Sequence, residues 1–266
     1  MEALSVGERC ARFRALHDRA ELFVMPNPWD VGSAKLLASL GFGALATTSQ
    51  GFAWLLGKLD QQVTRDELVP HVAELAKATS LPLNVDSERC YPDDPGGVAE
   101  TVRLLAEAGA AGCSIEDYDP LTGRIDDLEV AADRVAVAAE AKGDLILTGR
   151  CENHLHGFDD LDDTIVRLVA YHDAGADVVY APGLTDLQQI ARIVDEVKVA
   201  VNVLALPAGP SVAELASAGV RRVSTGSLLT SAAYGALVGA AQELRDEGTS
   251  SYARRGLSRE ARQAFV

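Results

Sequence analysis

Three short stretches run from apolar residues straight into charge. LPLNVDSER (81 to 89) ends with Asp86, Glu88 and Arg89; GCSIED (112 to 117) ends with Glu116 and Asp117; LILTGRCE (145 to 152) ends with Arg150 and Glu152. Carboxylates that share one partly dry cavity repel, and their pKa values rise unless a cation compensates. Oxygen donors without His or Cys suit a hard divalent ion, Mg²⁺ or Mn²⁺. Mg²⁺ keeps several waters, so one direct carboxylate and several that hold its waters suffice. Arg150 offers a planar fork to a ligand carboxylate, and Ser49 in LATTSQG, with its neighbouring backbone amides, can hold the other end. The ligand these groups call for is a small dianion. Asp60 in GKLD and Asn202 in VNVL are expected at the same place.

The charged ends need elements that bring them together. Four segments share one phrase, LASLGFGALATTS, LAEAGAAGCSIED, YHDAGADVVYAPG and LASAGVRRVSTGS: a helix end, a glycine (Gly41, Gly109, Gly175, Gly219) suited to a left-handed cap, then a short strand. Strands are expected near 22–25, 44–48, 83–86, 112–116, 145–149, 178–181, 199–203 and 222–224, with helical periodicity between them as in RDELVPHVAELAKATS. Eight strands alternating with helices predict an α/β fold of the closed (β/α)8 type, a TIM barrel, whose chemistry sits at the carboxyl ends of the strands. The rival, an open doubly wound sheet, lacks its GxGxxG loop after the first strand. No linker divides the chain, so residues 1–266 read as one domain with a short helical tail, SSYARRGLSREARQAFV.

Composition narrows the partners. The 266 residues are 48% hydrophobic, enough for a large core. Lys and Arg total 24 against 39 for Asp and Glu; the net charge of −15 repels nucleic acid and anionic membrane alike. Apolar runs fall short of the roughly 18 residues a bilayer span needs, and the start carries Glu2 and Glu8 in place of a basic leader. Cys10, Cys90, Cys113 and Cys151 are widely spaced and read as free thiols of a cytoplasmic protein. Asp117, Asp119, Asp126 and Asp127 read as loop surface. His17, His71 and His172 read as core or surface residues of helices, whereas His154 and His156 in ENHLHG are candidate proton carriers.

Taken in order, MPNPWDVGSAKLLASLGFGALATTS, GKLD, NVDSERCY, GAAGCSIED, GRCEN, AGADVVYAPG and RVSTGS resemble the isocitrate lyase and phosphoenolpyruvate mutase superfamily over nearly the whole chain. The resemblance implies a barrel whose eighth helix is often swapped between protomers, in homodimers paired into tetramers, holding Mg²⁺ and a 2-oxo acid. It implies that Asp86 ligates the metal, that Asp60, Glu88 and Glu116 hold its waters, and that Ser49, Gln50 and Arg150 bind the substrate carboxylate. Trp29 and Asp30 fall on the superfamily's site-lining segment, with Asn27 alongside. A 2-oxo carboxylate chelated to Mg²⁺ stabilises the enolate left when a bond to C3 breaks.

The departures are informative. The lyases carry a Lys-Cys-Gly-His stretch after the fourth strand, where this chain reads YDPLTGRI. The mutases use a longer loop with lysine and asparagine. Glu88 replaces a second aspartate, Cys90 and Pro92 replace flexible glycines, and APG at 181–183 replaces a lyase glutamate. The expected activity is a Mg²⁺-dependent carbon–carbon lyase or decarboxylase of a small 2-oxo or 2-hydroxy dicarboxylate, oxaloacetate-like, with Arg150, Glu116 and Tyr118 in the chemistry and Tyr118 or a metal-bound water giving the proton. The alternatives are phosphorus–carbon chemistry of the mutase or phosphonopyruvate hydrolase kind, and a non-catalytic barrel that binds a 2-oxo acid.

Overall fold

Short apolar runs covered on both faces form strands without the alternation of a half-exposed sheet. In chain order these are β1 (Phe23–Met25), β2 (Leu45–Ala46), β3 (Leu83–Asp86), β4 (Gly112–Glu116), β5 (Tyr118–Asp119), β6 (Arg124–Ile125), β7 (Ile146–Arg150), β8 (Val178–Tyr180), β9 (Ala200–Leu204) and β10 (Arg222–Ser224). The computed structural model describes residues 4–266; Glu2 of the acidic start lies outside them. Eight strands pair in parallel in the order β1-β10-β9-β8-β7-β4-β3-β2, the expected barrel. β5 and β6 form a separate antiparallel hairpin over the carboxyl end of β4, in a stretch whose sequence suggests only loop.

Closure is nearly complete. No ladder joins β1 to β2, but the Ala46 N–H donates to Pro26 O at 3.1 Å and Asn27 Nδ2 to Thr47 O at 2.7 Å across the seam. The reason is local: Pro26 and Pro28 have no N–H to give, so the edge of β1 cannot complete a ladder.

Helices wrap the strands. Ser5 with Glu8, Thr64 with Glu67 and Ser211 with Glu214 form reciprocal capping boxes, and each satisfies two backbone donors at a helix start. The repeated glycines return the chain to the sheet with φ of 85°, 99°, 106° and 86° at Gly41, Gly109, Gly175 and Gly219, as the phrase predicted. The core fills the space between the strands and this outer layer, with Leu75, Leu83, Leu105, Ile115 and Leu147 fully buried. Helix Val6–Asp18 covers the amino-terminal end of the barrel, where the rings of Phe13, His17 and Phe23 meet edge to face. All four cysteines are free and buried.

Helix Leu228–Glu247 is different. Of its 20 residues only Thr230 is buried, and Leu237, Val238 and Leu244 are more than half exposed. Its base touches the rest of the molecule where Tyr234 stacks on Trp54. Beyond it the tail makes two short 3₁₀ turns, and the second, Ala261–Phe265, packs on helix Val31–Ser39. No described helix is long and apolar enough to cross a membrane.

Packing is tight between β3, β4 and β7. A methyl group at Gly112 would stand 2.7 Å from Ile146 O, 2.8 Å from Asn84 Oδ1 and 2.8 Å from the Phe13 ring. Gly112→Ala is therefore expected to cost about 1–3 kcal/mol, read as a lower Tm, whereas Gly7→Ala, with open space around it, should leave Tm within about 1 °C. Equal melting of the two variants would contradict the packing described.

Candidate active site

The carboxyl ends of the strands surround a cavity of about 420 Å³. Ser49, Gln50, Asp60, Asp86, Tyr118, Arg150 and Asn202, each expected there, line it. Arg150 is the hub. Its Nη1 lies 3.3 Å from Asp86 Oδ1 and 3.2 Å from Glu116 Oε2, its Nε donates to Glu152, and its guanidinium lies 5.4 Å from the centre of the Tyr180 ring. Asp86 is fixed at both ends, since Oδ2 accepts from the Ser49 N–H at 3.1 Å and its own N–H donates to Thr47 Oγ1 at 2.8 Å.

Other expected residues take different places. Glu116 lies behind the wall, 4% exposed, where Oε1 accepts from Gln61 Nε2 at 2.8 Å. Glu88, with φ of 50°, faces a smaller adjoining cavity of about 260 Å³. Trp29 and Asp30 do not line either cavity. Asp30 is instead the N-cap of helix Val31–Ser39 and accepts from the Ser33 N–H at 2.6 Å, so its carboxylate is already spoken for. Asn27, by contrast, does line the larger cavity and also braces the seam, with Oδ1 accepting from the Thr225 and Gly226 N–H groups at 2.8 and 3.0 Å.

The electrostatics ask for a cation. Burial, with Asp86 next, raises the pKa of Asp60. Burial, then Asp86 and Asp60, pushes Glu88 up to about 8. Burial also raises Glu116 and Glu152, against the pull of Arg150 in both cases. Asp60 Oδ1 and Glu88 Oε1 are buried without a hydrogen-bond partner. Among the described residues no three His, Cys, Asp or Glu side chains are placed to grip an ion directly. A hard ion that keeps its waters, held at Asp86 with Asp60 and Glu88 reaching its hydration shell, fits this donor set; an ion that needs a full protein cage does not.

On the other wall the Tyr118 ring, at the start of the hairpin, stacks on His156 with centroids 3.6 Å apart, and His156 Nε2 lies 3.8 Å from Glu152 Oε2. Burial and Arg150 lower the pKa of His156. His154, its companion candidate, turns away to Thr164 Oγ1 at 3.1 Å and does not line the cavity.

Two aspartates read as loop surface are nothing of the kind. Asp117 is 1% exposed and accepts from the Glu152 N–H at 2.8 Å, Tyr171 Oη at 2.5 Å and Arg167 Nη1 at 3.3 Å. Asp126 is held by Arg89 and Arg134, and Arg89 also pairs with Asp119 at 2.9 Å. The hairpin bearing Tyr118 is thereby pinned at both ends. Sequence reasoning did not single out Gln61, Tyr180 or Arg222, which also line the cavity. Strand alternation offered a signal for the last, because Ser224 faces inward and Arg222 lies two residues before it.

The phosphoenolpyruvate phosphomutase family profile matches residues 13–245. A crystal structure from Burkholderia cenocepacia J2315, provisionally classed as a lyase/mutase, shares 47% identity at a TM-score of 0.93, covering 98% of this chain and 96% of that one. An uncharacterized protein of Mycobacterium tuberculosis H37Rv is 34% identical over 236 residues, 88% of this chain and 89% of its own. An oxaloacetate decarboxylase of Paraburkholderia xenovorans LB400 is 32% identical over 255 residues, 90% of this chain and 83% of its own.

Glu88 gives a test of these electrostatics that needs no substrate. Its folded pKa of about 8 stands above the ordinary 4.5, so the native state holds a proton that the unfolded chain has released. That contribution to stability is fully present below pH 4.5 and is lost as pH rises through about 8. Glu88→Gln, neutral at every pH, should melt at least about 3 °C above the parent at about pH 9 in chelator, with the difference closing toward acid and on adding Mg²⁺. Parallel melting curves at every pH would contradict this.

Proposed function

The chain belongs to the phosphoenolpyruvate phosphomutase family, within the isocitrate lyase and phosphoenolpyruvate mutase superfamily, and on that premise we propose that it is a cytoplasmic, Mg²⁺-dependent carbon–carbon lyase or decarboxylase of a small 2-oxo or 2-hydroxy dicarboxylate. The observation that carries this reading is Arg150 held among Asp86, Glu116 and Glu152 beside the unpartnered oxygens of Asp60 and Glu88: a carboxylate-binding fork next to a place for a hard cation. Such a cation, when bound, supplies Lewis-acid polarisation of the 2-oxo or 2-hydroxy oxygen.

The chain's own residues do the rest. Arg150 and the turn at Ser49 and Gln50 take the first carboxylate and fix the ligand's orientation. Cleavage of the bond to C3 leaves an electron pair conjugated with the 2-oxo group. In a decarboxylation the departing group is CO₂, and C3 then needs one proton. The Tyr118 hydroxyl, on the pinned hairpin and backed by His156, is the donor we assign. The Paraburkholderia relative's oxaloacetate decarboxylase activity supports an oxaloacetate-like substrate. The family profile's own description favours a second reading, phosphorus–carbon chemistry, against which stands a hairpin of eight residues, YDPLTGRI, with neither lysine nor asparagine.

The nearly bare helix Leu228–Glu247 supports an exchanged helix in a homodimer or homotetramer. Sedimentation should give a mass at least twice that of the chain, and Leu237→Asp should lower it; a monomer at micromolar concentration would refute the exchange.

Oxalate, a mimic of the enolate of pyruvate, tests the site. With Mg²⁺ at about 100 times Kd it should raise Tm by about 5–10 °C, neither component alone should do so, and Asp86→Asn should abolish the shift. No shift at saturating ligand would refute the site. A shift without turnover of oxaloacetate or related dicarboxylates would leave the barrel as a binder, and a changed phosphorus NMR spectrum with phosphonopyruvate would favour the second reading.

A further inference from the structure

Arg222 opens β10, is 1% exposed and points into the barrel, where it lines the same cavity as Arg150. Its Nε donates to Asn202 Oδ1 at 2.9 Å, Nη2 donates to Thr148 Oγ1 at 3.0 Å, and Nη1 faces His17 Nε2 at 3.4 Å. None of these partners carries a charge: burial and Arg222 itself lower the pKa of His17 to about 3. Among the described residues no carboxylate lies near enough to support the charge of Arg222, and burial lowers its pKa to about 9, which still leaves it charged at neutral pH. A buried, unpaired guanidinium is costly to keep in a fold. Arg150, by contrast, is surrounded by three carboxylates. Arg222 is the uncompensated positive charge of this cavity.

Its placement is specific. Thr148 precedes Arg150 by two residues on β7, so both face inward, and the Arg222 guanidinium, bonded to Thr148, sits one side-chain layer below the strand end that carries Arg150. Barrels of this kind fill that layer with branched aliphatic residues. Here the inward groups that line the cavity are Asn84, Ser114, Asn202 and Ser224, so the cavity continues down to Arg222. A guanidinium has five N–H groups, and three are placed on protein acceptors. Two remain.

We propose that Arg222 receives the second, distal carboxylate of a four- or five-carbon 2-oxo or 2-hydroxy dicarboxylate in a carbon–carbon cleavage that keeps that carboxylate, and so is the residue that selects a dicarboxylate over a monocarboxylate of the same carbon count. This rests on the reading of the site given under Proposed function, in which the first carboxylate sits at Arg150. A distal methyl group would leave the guanidinium buried and unanswered. A ligand too short to reach it would gain nothing from it.

Titration calorimetry with Mg²⁺ present, using malate, 2-hydroxybutanoate and oxalate, separates the two ideas. The parent should bind malate about 10- to 100-fold more tightly than 2-hydroxybutanoate, the range expected for one charge-assisted hydrogen-bonded pair. Arg222→Gln should lose that preference and keep its oxalate Kd within about threefold of the parent's. The comparison of malate with 2-hydroxybutanoate on the parent needs no variant and decides the matter even if Arg222→Gln does not fold. Equal binding of those two by the parent, or a preference retained in the variant, would overturn the role of Arg222 while oxalate binding upheld the site. Loss of oxalate binding in the variant alongside the preference would overturn it as well, in favour of a structural role. Failure of the parent to bind oxalate would remove the site itself.

Discussion

One guanidinium organises this barrel's mouth. Arg150 gathers Asp86 from β3, Glu116 from β4 and Glu152 from just beyond β7, so three strand ends are tied through a single side chain. One positive charge cannot balance three carboxylates with Asp60 and Glu88 close by. Burial first, and the neighbouring carboxylates after it, raise the proton affinity of Asp60, Glu88, Glu116 and Glu152, and Asp60 Oδ1 and Glu88 Oε1 are left without partners. Such an arrangement of carboxylates favours the binding of a cation beside Arg150.

The fold exists to hold that imbalance in place. Capping boxes fix where helices begin, left-handed glycines fix where strands resume, and each strand delivers its last inward residue to the mouth. A second set of ions, mostly half-buried and separate from the first, secures the wall that carries Tyr118. Arg89, Arg134 and Arg167 converge on Asp117, Asp119 and Asp126 beneath the hairpin. The first set is short of positive charge and the second is matched, arginine against aspartate. Exchange of charge for chemistry belongs to the former and rigidity to the latter.

Most of the architecture was legible in the sequence because the βα phrase repeats and each repeat carries its own punctuation. Asp86, Arg150 and Ser49 were legible because a charged or polar group that closes a buried apolar strand needs an ion or a ligand to answer it. What escaped did so for definite reasons. Asp117 and Asp126 look like any loop carboxylates, since their arginine partners lie as many as 50 residues away along the chain. Asp30 sits on a segment that lines the site in the superfamily, yet here its side chain is used up by a helix start. The hairpin β5–β6 is too short for periodicity to reveal. Arg222 was masked by position: an arginine beginning a strand reads as exposed until the strand's neighbours show that its face is the inside.

The pinned hairpin has a kinetic meaning. A loop joined to the body by arginines at both of its ends has little freedom to swing aside and fold back during a turnover, so this wall contributes shape and gives up gating. The mouth then keeps one shape on this side. A wall of fixed shape favours telling molecules apart by their length and charge over telling them apart by closure.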